Sequence, residues 1–159
     1  MKTKQYTMGL LFLVLGLMSC EKEKTTAGSQ QTTNDLTVHV IGQNNLYGGS
    51  SEGFTEENHV INDSVTWNAL KAQMNQANDV TYTFTEQEID FSQWTVLASF
   101  DQVRMNGGHA INYSSVVEDD TQVTATIFHE NPQGAATTVI TQPYIIVKIE
   151  KTTKPVVFN

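Results

Sequence analysis

Trp94-Thr-Val-Leu-Ala-Ser-Phe-Asp101, Gln102-Val-Arg-Met-Asn-Gly-Gly-His109 and Ala110-Ile-Asn-Tyr-Ser-Ser-Val116 read in succession as strand, Gly-Gly loop and strand. Val96, Ala98 and Phe100 alternate with Thr95, Leu97 and Ser99, the period of two expected of a strand with one buried face. Asn106, Gly107 and Gly108 tolerate positive φ, so the chain is expected to reverse tightly there and close a hairpin. Downstream, Val123, Ala125 and Ile127 alternate with Thr124, Thr126 and Phe128, a further strand. Glu118-Asp119-Asp120 is the polar turn that pairs it with Ile111–Val117. Asn131-Pro-Gln-Gly134 marks another turn. Pro143–Ile149 is a strong strand whose proline stands at its start, where a missing N–H is tolerated, and Pro155–Phe158 adds an edge strand.

Upstream, Leu36–Ile41 alternates Leu36, Val38 and Val40 with Thr37, His39 and Ile41 and reads as the first strand, with His39 outward. Gly42–Asn58 is expected to be a long loop carrying Tyr47-Gly48-Gly49 and Gly53-Phe54. It is not a phosphate loop, because no Gly-Lys-Ser/Thr follows. Tyr47 and Phe54 are expected to fold back on the core, and Tyr47 is also a candidate contact. Asp63-Ser64 has the chemistry of a helix N-cap, and Trp67, Leu70, Met74 and Ala77 then form one apolar stripe over about residues 64–77. Asp63-Ser64-Val65 also resembles an Asp-Ser/Thr-aliphatic O-glycosylation acceptor, but capping accounts for the same residues. Val80–Phe84 and Ile89–Phe91 are expected to be short strands, and Glu86, Glu88 and Asp90 a solvated acidic edge without the ligand series of a calcium loop. The fold class expected is α+β, mostly antiparallel β with one helix; an immunoglobulin-like β-sandwich is the alternative.

Lys2 and Lys4 precede an apolar run from Met8 to Met18. That run is too short for the ~20 residues of a membrane span and right for a signal-peptide core. Leu17-Met18-Ser19-Cys20 resembles the lipobox of bacterial lipoproteins, which implies a signal peptide over residues 1–19 and lipidation of Cys20. Residues 20–35 are almost free of apolar side chains and read as a flexible tether, leaving 36–159 as a single β-rich domain. The charged Glu21-Lys-Glu-Lys24 resembles signals that send some Gram-negative lipoproteins to the cell surface. The expected location is thus the bacterial cell envelope, at the outer membrane, with membrane contact through the lipid alone.

Removing residues 1–19 takes away Lys2 and Lys4 and no acid, so the formal net charge moves from −8 to −10. An acidic chain argues against nucleic acid, whose phosphates need clustered Lys and Arg. The single Cys rules out an intrachain disulfide, so stability must come from a hydrophobic core. No Gly-x-Ser-x-Gly is present, and His39, His59, His109 and His129 have no metal-ligand spacing. The reading is therefore of a protein that is not an enzyme, with no catalytic residue, no metal, no cofactor and no small-molecule substrate.

Ile89-Asp-Phe91, Val96–Phe100, Asn106-Gly-Gly108, Ile111-Asn-Tyr113 and Thr137–Lys148 together resemble the C-terminal domain of the protease complex subunit PrcB family. Tyr47-Gly-Gly49, Ser51-Glu-Gly53 and Trp67 resemble the first half of its short lipoprotein members. The chain departs from the family at Asn106, where Thr is usual, and at His109, where an aromatic is usual. The resemblance implies an accessory subunit of a protease complex: an envelope lipoprotein that binds a protein partner, a protease among the candidates. Loops 44–54, 104–109 and 141–144 would present the contacts, with Tyr47, Asn106, Gly107, Gly108, His109, Pro143 and Tyr144 as the named residues. The Gly-Gly and Gln142-Pro143-Tyr144 segments also resemble the loops of chagasin-type protease inhibitors, which makes an inhibitor using 104–109 and 141–144 the alternative. A third reading, a cell-surface protein binding glycan through Trp and Tyr platforms, is disfavoured because Trp67 lies on the buried helix stripe and Trp94 opens a core strand.

Overall fold

The computed structural model describes residues 32–159. The expected signal peptide, the expected lipidation site Cys20 and most of the expected tether lie outside these residues. The described residues form two four-stranded sheets and a single α-helix. The central sheet has the order β2 (His39–Leu46), β7 (Gln142–Glu150), β4 (Trp94–Phe100), β3 (Glu57–Ile61), all antiparallel. The second has the order β1 (Asn34–Asp35), β5 (Ala110–Glu118), β6 (Val123–Glu130), β8 (Val156–Phe158), with β8 parallel to β6.

Successive side chains of a strand point to opposite faces, and in β4 both faces are covered. Val96, Ala98 and Phe100 pack with Ile146, Tyr144 and the helix residues Trp67, Leu70 and Met74. Leu97 points the other way and packs with Ile145, Val147 and Ile149 against Ile111, Val116, Val123 and Ala125 of the second sheet. The result is three layers: helix α1 (Ser64–Met74), central sheet, second sheet. This is an α+β fold, mostly antiparallel β with a single helix. The immunoglobulin-like sandwich does not describe it, because a helical layer covers the outer face of the central sheet.

Several local expectations are corrected. Trp94–Val116 is not a hairpin: β4 pairs with β3 and β7, whereas β5 lies in the other sheet, so the Gly-Gly segment is a crossover between layers. The first strand starts at His39, and its continuation Gly42–Leu46, read as loop, pairs with Gln142–Ile146 after a bulge between Val40 and Gly42. Gly42 is required there, since a Cβ would lie 2.6 Å from the Phe84 ring. Glu57–Ile61, part of it also read as loop, is an edge strand. Thr81–Thr83 is a 3-10 turn, and Ile89–Phe91 is not a strand. The expected tether ends sooner than residue 35, because Asn34 and Asp35 pair with Glu118 and Val117.

The helix begins where its cap chemistry places it. The Asp63 side chain accepts from the Thr66 backbone N–H and from the Thr66 hydroxyl, each at 2.8 Å. Trp67, Leu70 and Met74 are buried as expected, but the helix stops at Met74 and Ala77 is exposed. The backbone and hydroxyl bonds from Thr66 hold the Asp63 carboxyl below its ordinary 3.8. A depressed carboxyl contributes stability above the unfolded value, lost as the pH falls through the folded one. Asp63→Asn keeps the cap and removes the titration. Its urea midpoint is expected to fall less steeply than that of the wild type as the pH is lowered through 3.8.

Candidate functional site

Register places one end of both sheets together. Leu46 opposes Gln142, Phe100 opposes Tyr144 and Glu57 opposes Phe100, while Ala110 opposes Glu130 in the second sheet. The connections 47–56, 101–109 and 131–141 therefore all emerge at this end. They are tied to each other. Arg104 and Thr141 exchange backbone hydrogen bonds of 2.7 and 2.9 Å, and the Gly107 N–H donates to Thr137 O at 2.9 Å. The buried Gln142 amide donates to Asp101 O at 2.9 Å and to Phe54 O at 3.2 Å, joining the first connection to the second.

Asp101 is the centre of this end. It is 1% exposed, and its carboxylate accepts from Arg104 Nε at 3.0 Å and from Nη2 at 2.8 and 3.0 Å. The Gln102 N–H donates to the same carboxylate at 2.8 Å, and His129 Nδ1 stands 3.5 Å away. A buried charge needs such partners, and the planar guanidinium supplies them in a fixed fork. Glu56, Asp101 and His129 bring potential ligand atoms within 4.8 Å of one another. Both Asp101 oxygens are already taken by Arg104, so the donor set is that of an ion-pair network, not of a cation site. Sequence reading missed this group because Glu56 and His129 are far from Asp101 along the chain; only the Asp101–Arg104 spacing was local.

The expected contact residues divide. Tyr47 and Gly108 are exposed, Asn106 and His109 half-buried, and Gly107, Pro143 and Tyr144 buried. His109 is held between two amides, Nε2 at 3.2 Å from Asn106 Oδ1 and Nδ1 at 3.1 Å from Asn131 Oδ1. Gly107 is packed under the third connection, where a Cβ would lie 2.6 Å from Thr137 Oγ1. The expected 141–144 loop does not exist: Gln142, Pro143 and Tyr144 begin β7 inside the central sheet, and Thr141 is buried beside them. Residues 137–140 take its place. Val139 and Ile140 are partly exposed, Val139 beside Gly107 and Ile140 beside Gly49, and Met105 is 73% exposed. Of the two aromatics expected to fold back, Phe54 does, stacking on Phe100 at 3.9 Å, and Tyr47 does not.

The remaining expected features have ordinary partners. His39 is exposed and meets the Trp94 ring edge-on at 5.3 Å. Glu86 pairs with Lys148, whose ammonium also lies 4.4 Å from the Trp94 ring centroid. Asp90 caps the turn before β4 through Ser92 and Gln93. Burial pushes the Tyr144 hydroxyl up to about 12, and that of Tyr113 up as well, where it shares a 2.6 Å bond with Ser99 across the sheet interface.

Strain is stored in the first connection. Ser50 has φ 81°, between Gly49 at 58° and Gly53 at 75°. A left-handed conformation costs an L residue other than glycine roughly 1–2 kcal/mol. Ser50→Gly is expected to raise stability by up to about 1 kcal/mol, after glycine's larger unfolded-state entropy is set against that strain. The readout is a higher denaturant midpoint at unchanged slope.

Among the described residues no helix is long and apolar enough to cross a membrane. Comparison with protein-family models, with curated proteins and with solved structures finds no match to this chain.

Proposed function

We propose that this chain is a non-enzymatic, lipid-anchored envelope protein that binds a protein partner through the 47–53, 104–109 and 137–140 segments. The observation that carries the reading is the convergence of Tyr47, Met105, Val139 and Ile140, all exposed, on one loop platform. Scattered apolar residues on a surface need no explanation, but a group of them on segments braced against each other is the form of a contact surface. The Asp101–Arg104 pair and the Gln142 amide hold the platform in advance, which lowers the ordering cost of association. The likeness to the PrcB family supplies the kind of partner, an envelope protease or its precursor. The inhibitor reading loses its second loop, since 142–144 is strand and Thr141 is bridged to Arg104, and is retained only as an arm of the test.

A photo-crosslinking residue placed at Met105 in the full lipoprotein of intact cells tests the proposal. Val65, 78% exposed at the start of α1, is the control position. One dominant adduct from Met105 that is absent from Val65 supports it, and Met105→Asp is expected to weaken capture. Identical adducts from both positions would sink it. If the adduct is a protease, assay of its activity with the purified lipoprotein separates inhibitor from accessory subunit.

A further inference from the structure

A cleft of about 360 Å³ lies between β2 and the segment that follows the helix, lined by Asn44, Asn45, Tyr47, Asn78, Asp79 and Tyr82 among others. Its volume is at the lower end of the range for small-molecule sites. The walls are held rigidly. Asn75, the C-cap of α1, accepts from the Val80 and Thr81 N–H groups at 2.9 and 3.1 Å and donates to Thr81 Oγ1 at 2.8 Å. Gln87 Nε2 donates to Thr81 O at 2.7 Å, and the Thr85 N–H donates to Ile41 O at 2.9 Å, so the segment is sewn to β2. Phe84 lies buried over Gly42 and anchors it from below.

The chemistry of the lining is specific. Tyr47 is 51% and Tyr82 74% exposed, so two phenol rings stand at the cleft with no core to cover them. Aromatic faces are electron-rich and attract the weakly positive C–H groups of a pyranose ring, while the phenol oxygens stay wet. Asn44, Asn45 and Asn78 present carboxamides that both donate and accept, and Asp79 presents an acceptor pair suited to neighbouring hydroxyls. Asn45 Oδ1 is shielded from solvent and has no hydrogen-bond partner in the protein. An acceptor left so is costly, and a ligand hydroxyl reached by a turn of the carboxamide would satisfy it. No Lys or Arg lines the cleft, and Asp79 would repel an anion.

From this juxtaposition of two exposed tyrosines, a row of amides and an unspent buried acceptor, we infer that the cleft binds a neutral saccharide. The inference shares Tyr47 with the protein-partner reading, whereas the lining residues Asn44, Asn45, Asn78, Asp79 and Tyr82 lie outside the 47–53, 104–109 and 137–140 segments, so Tyr82→Ala separates the two. It also takes up the glycan reading that the expected burial of the tryptophans disfavoured. Trp67 is fully buried, Trp94 is half-buried under Lys148, and the exposed tyrosines occupy the role instead.

The test is calorimetric titration of the full-length protein in a sugar-free detergent with chitotetraose, cellotetraose, mannotetraose, xylotetraose and tetragalacturonate. At least one neutral tetrasaccharide is expected to bind with Kd below about 1 mM, and tetragalacturonate is not. A preference for chitotetraose would indicate an amino-sugar strand such as that of a cell wall, and a preference for the others a neutral hexose or pentose polymer. Tyr82→Ala and Tyr47→Ala are each expected to weaken binding roughly tenfold, while both side chains are exposed enough for the variants to keep the wild-type melting temperature. Absence of binding by all four neutral saccharides overturns the inference, as does binding that survives both substitutions or a tighter hold on tetragalacturonate.

Discussion

Trp67→Ala is expected to lower stability by roughly 3–5 kcal/mol, a fall in melting temperature of about 10 °C or more. Trp67 is 0% exposed and lies between the helix and the central sheet. Its ring stacks on Phe84 at 5.8 Å, and its Nε1 donates to Gln87 O at 2.9 Å. Truncation leaves a cavity that an 11-residue helix cannot close by moving, because Asp63 fixes one end and Asn75 the other. Loss on this scale is a large part of the ~5–15 kcal/mol that holds a domain of this kind folded. The same substitution frees Phe84 and with it the 78–85 wall of the cleft. Denaturant melts should therefore show the stability loss, and hydrogen exchange should show faster opening at Thr81–Thr85 than at β4. Trp67→Phe, which keeps an aromatic ring, is expected to recover more than half of the loss. A Trp67→Ala variant within about 0.5 kcal/mol of wild type would contradict the three-layer packing, since that is the size of an ordinary surface substitution.

Arg104→Met carries the second-largest effect. It leaves the Asp101 carboxylate, 1% exposed, with the Gln102 N–H and a distant His129 as partners, and Glu56 nearby adds like charge. Removing one member of a buried pair costs about 3–5 kcal/mol, and the Arg104 side chain is 22% exposed, so solvent screening brings the expected loss to about 2–3 kcal/mol. Asp101→Asn combined with Arg104→Met removes the stranded charge as well. The double variant is expected to be more stable than Arg104→Met alone, because an unpaired buried ion costs more than the pair contributes. Equal stability of the two would mean that Asp101 reaches water when Arg104 is gone. Crosslinking from Met105 should fall in Arg104→Met, as the crossover loses its brace.

Those two residues mark how far the sequence could be read. The helix was legible to its first residue, because Asp63 and the Trp67, Leu70, Met74 spacing are local signals. The β5–β6 hairpin was legible for the same reason: an acidic turn between two alternating strands pairs them directly. The edge strand β8 was legible from its proline and its short apolar run. Glu57–Ile61 was not, since its polar residues hide a strand that exposes one face at a sheet edge. Gly42–Leu46 was not, because the glycine and the amides that look like loop are there to admit Phe84 and to line a cleft.

Among the expected contact residues, Tyr47 is exposed and Asn106–His109 lie in the crossover; Pro143 and Tyr144 begin the strand that the sequence also expected there, and not a contact loop. The strand beginning at Pro143 was legible, but that its first residues are paired with Asn44 and Asn45 and so closed to a partner was decided by the tertiary structure. The Asp101, Arg104, His129 and Gln142 network was invisible because its members meet only after both sheets have formed.

By itself the sequence determined the class of the fold, the helix with its cap, the second hairpin and the two β-rich stretches that must be buried, because periodicity and turn chemistry act within a few residues. The tertiary structure alone decided that Trp94–Phe100 and Gln142–Glu150 are central strands covered on both faces, that the Gly-Gly segment crosses between layers, and which loops meet at one end. The physical reason is that backbone hydrogen bonds between strands are nearly indifferent to sequence. The choice of pairing partner is made by burying Val96, Leu97, Ala98 and the isoleucines of β7 together, a gain that no single stretch can express alone.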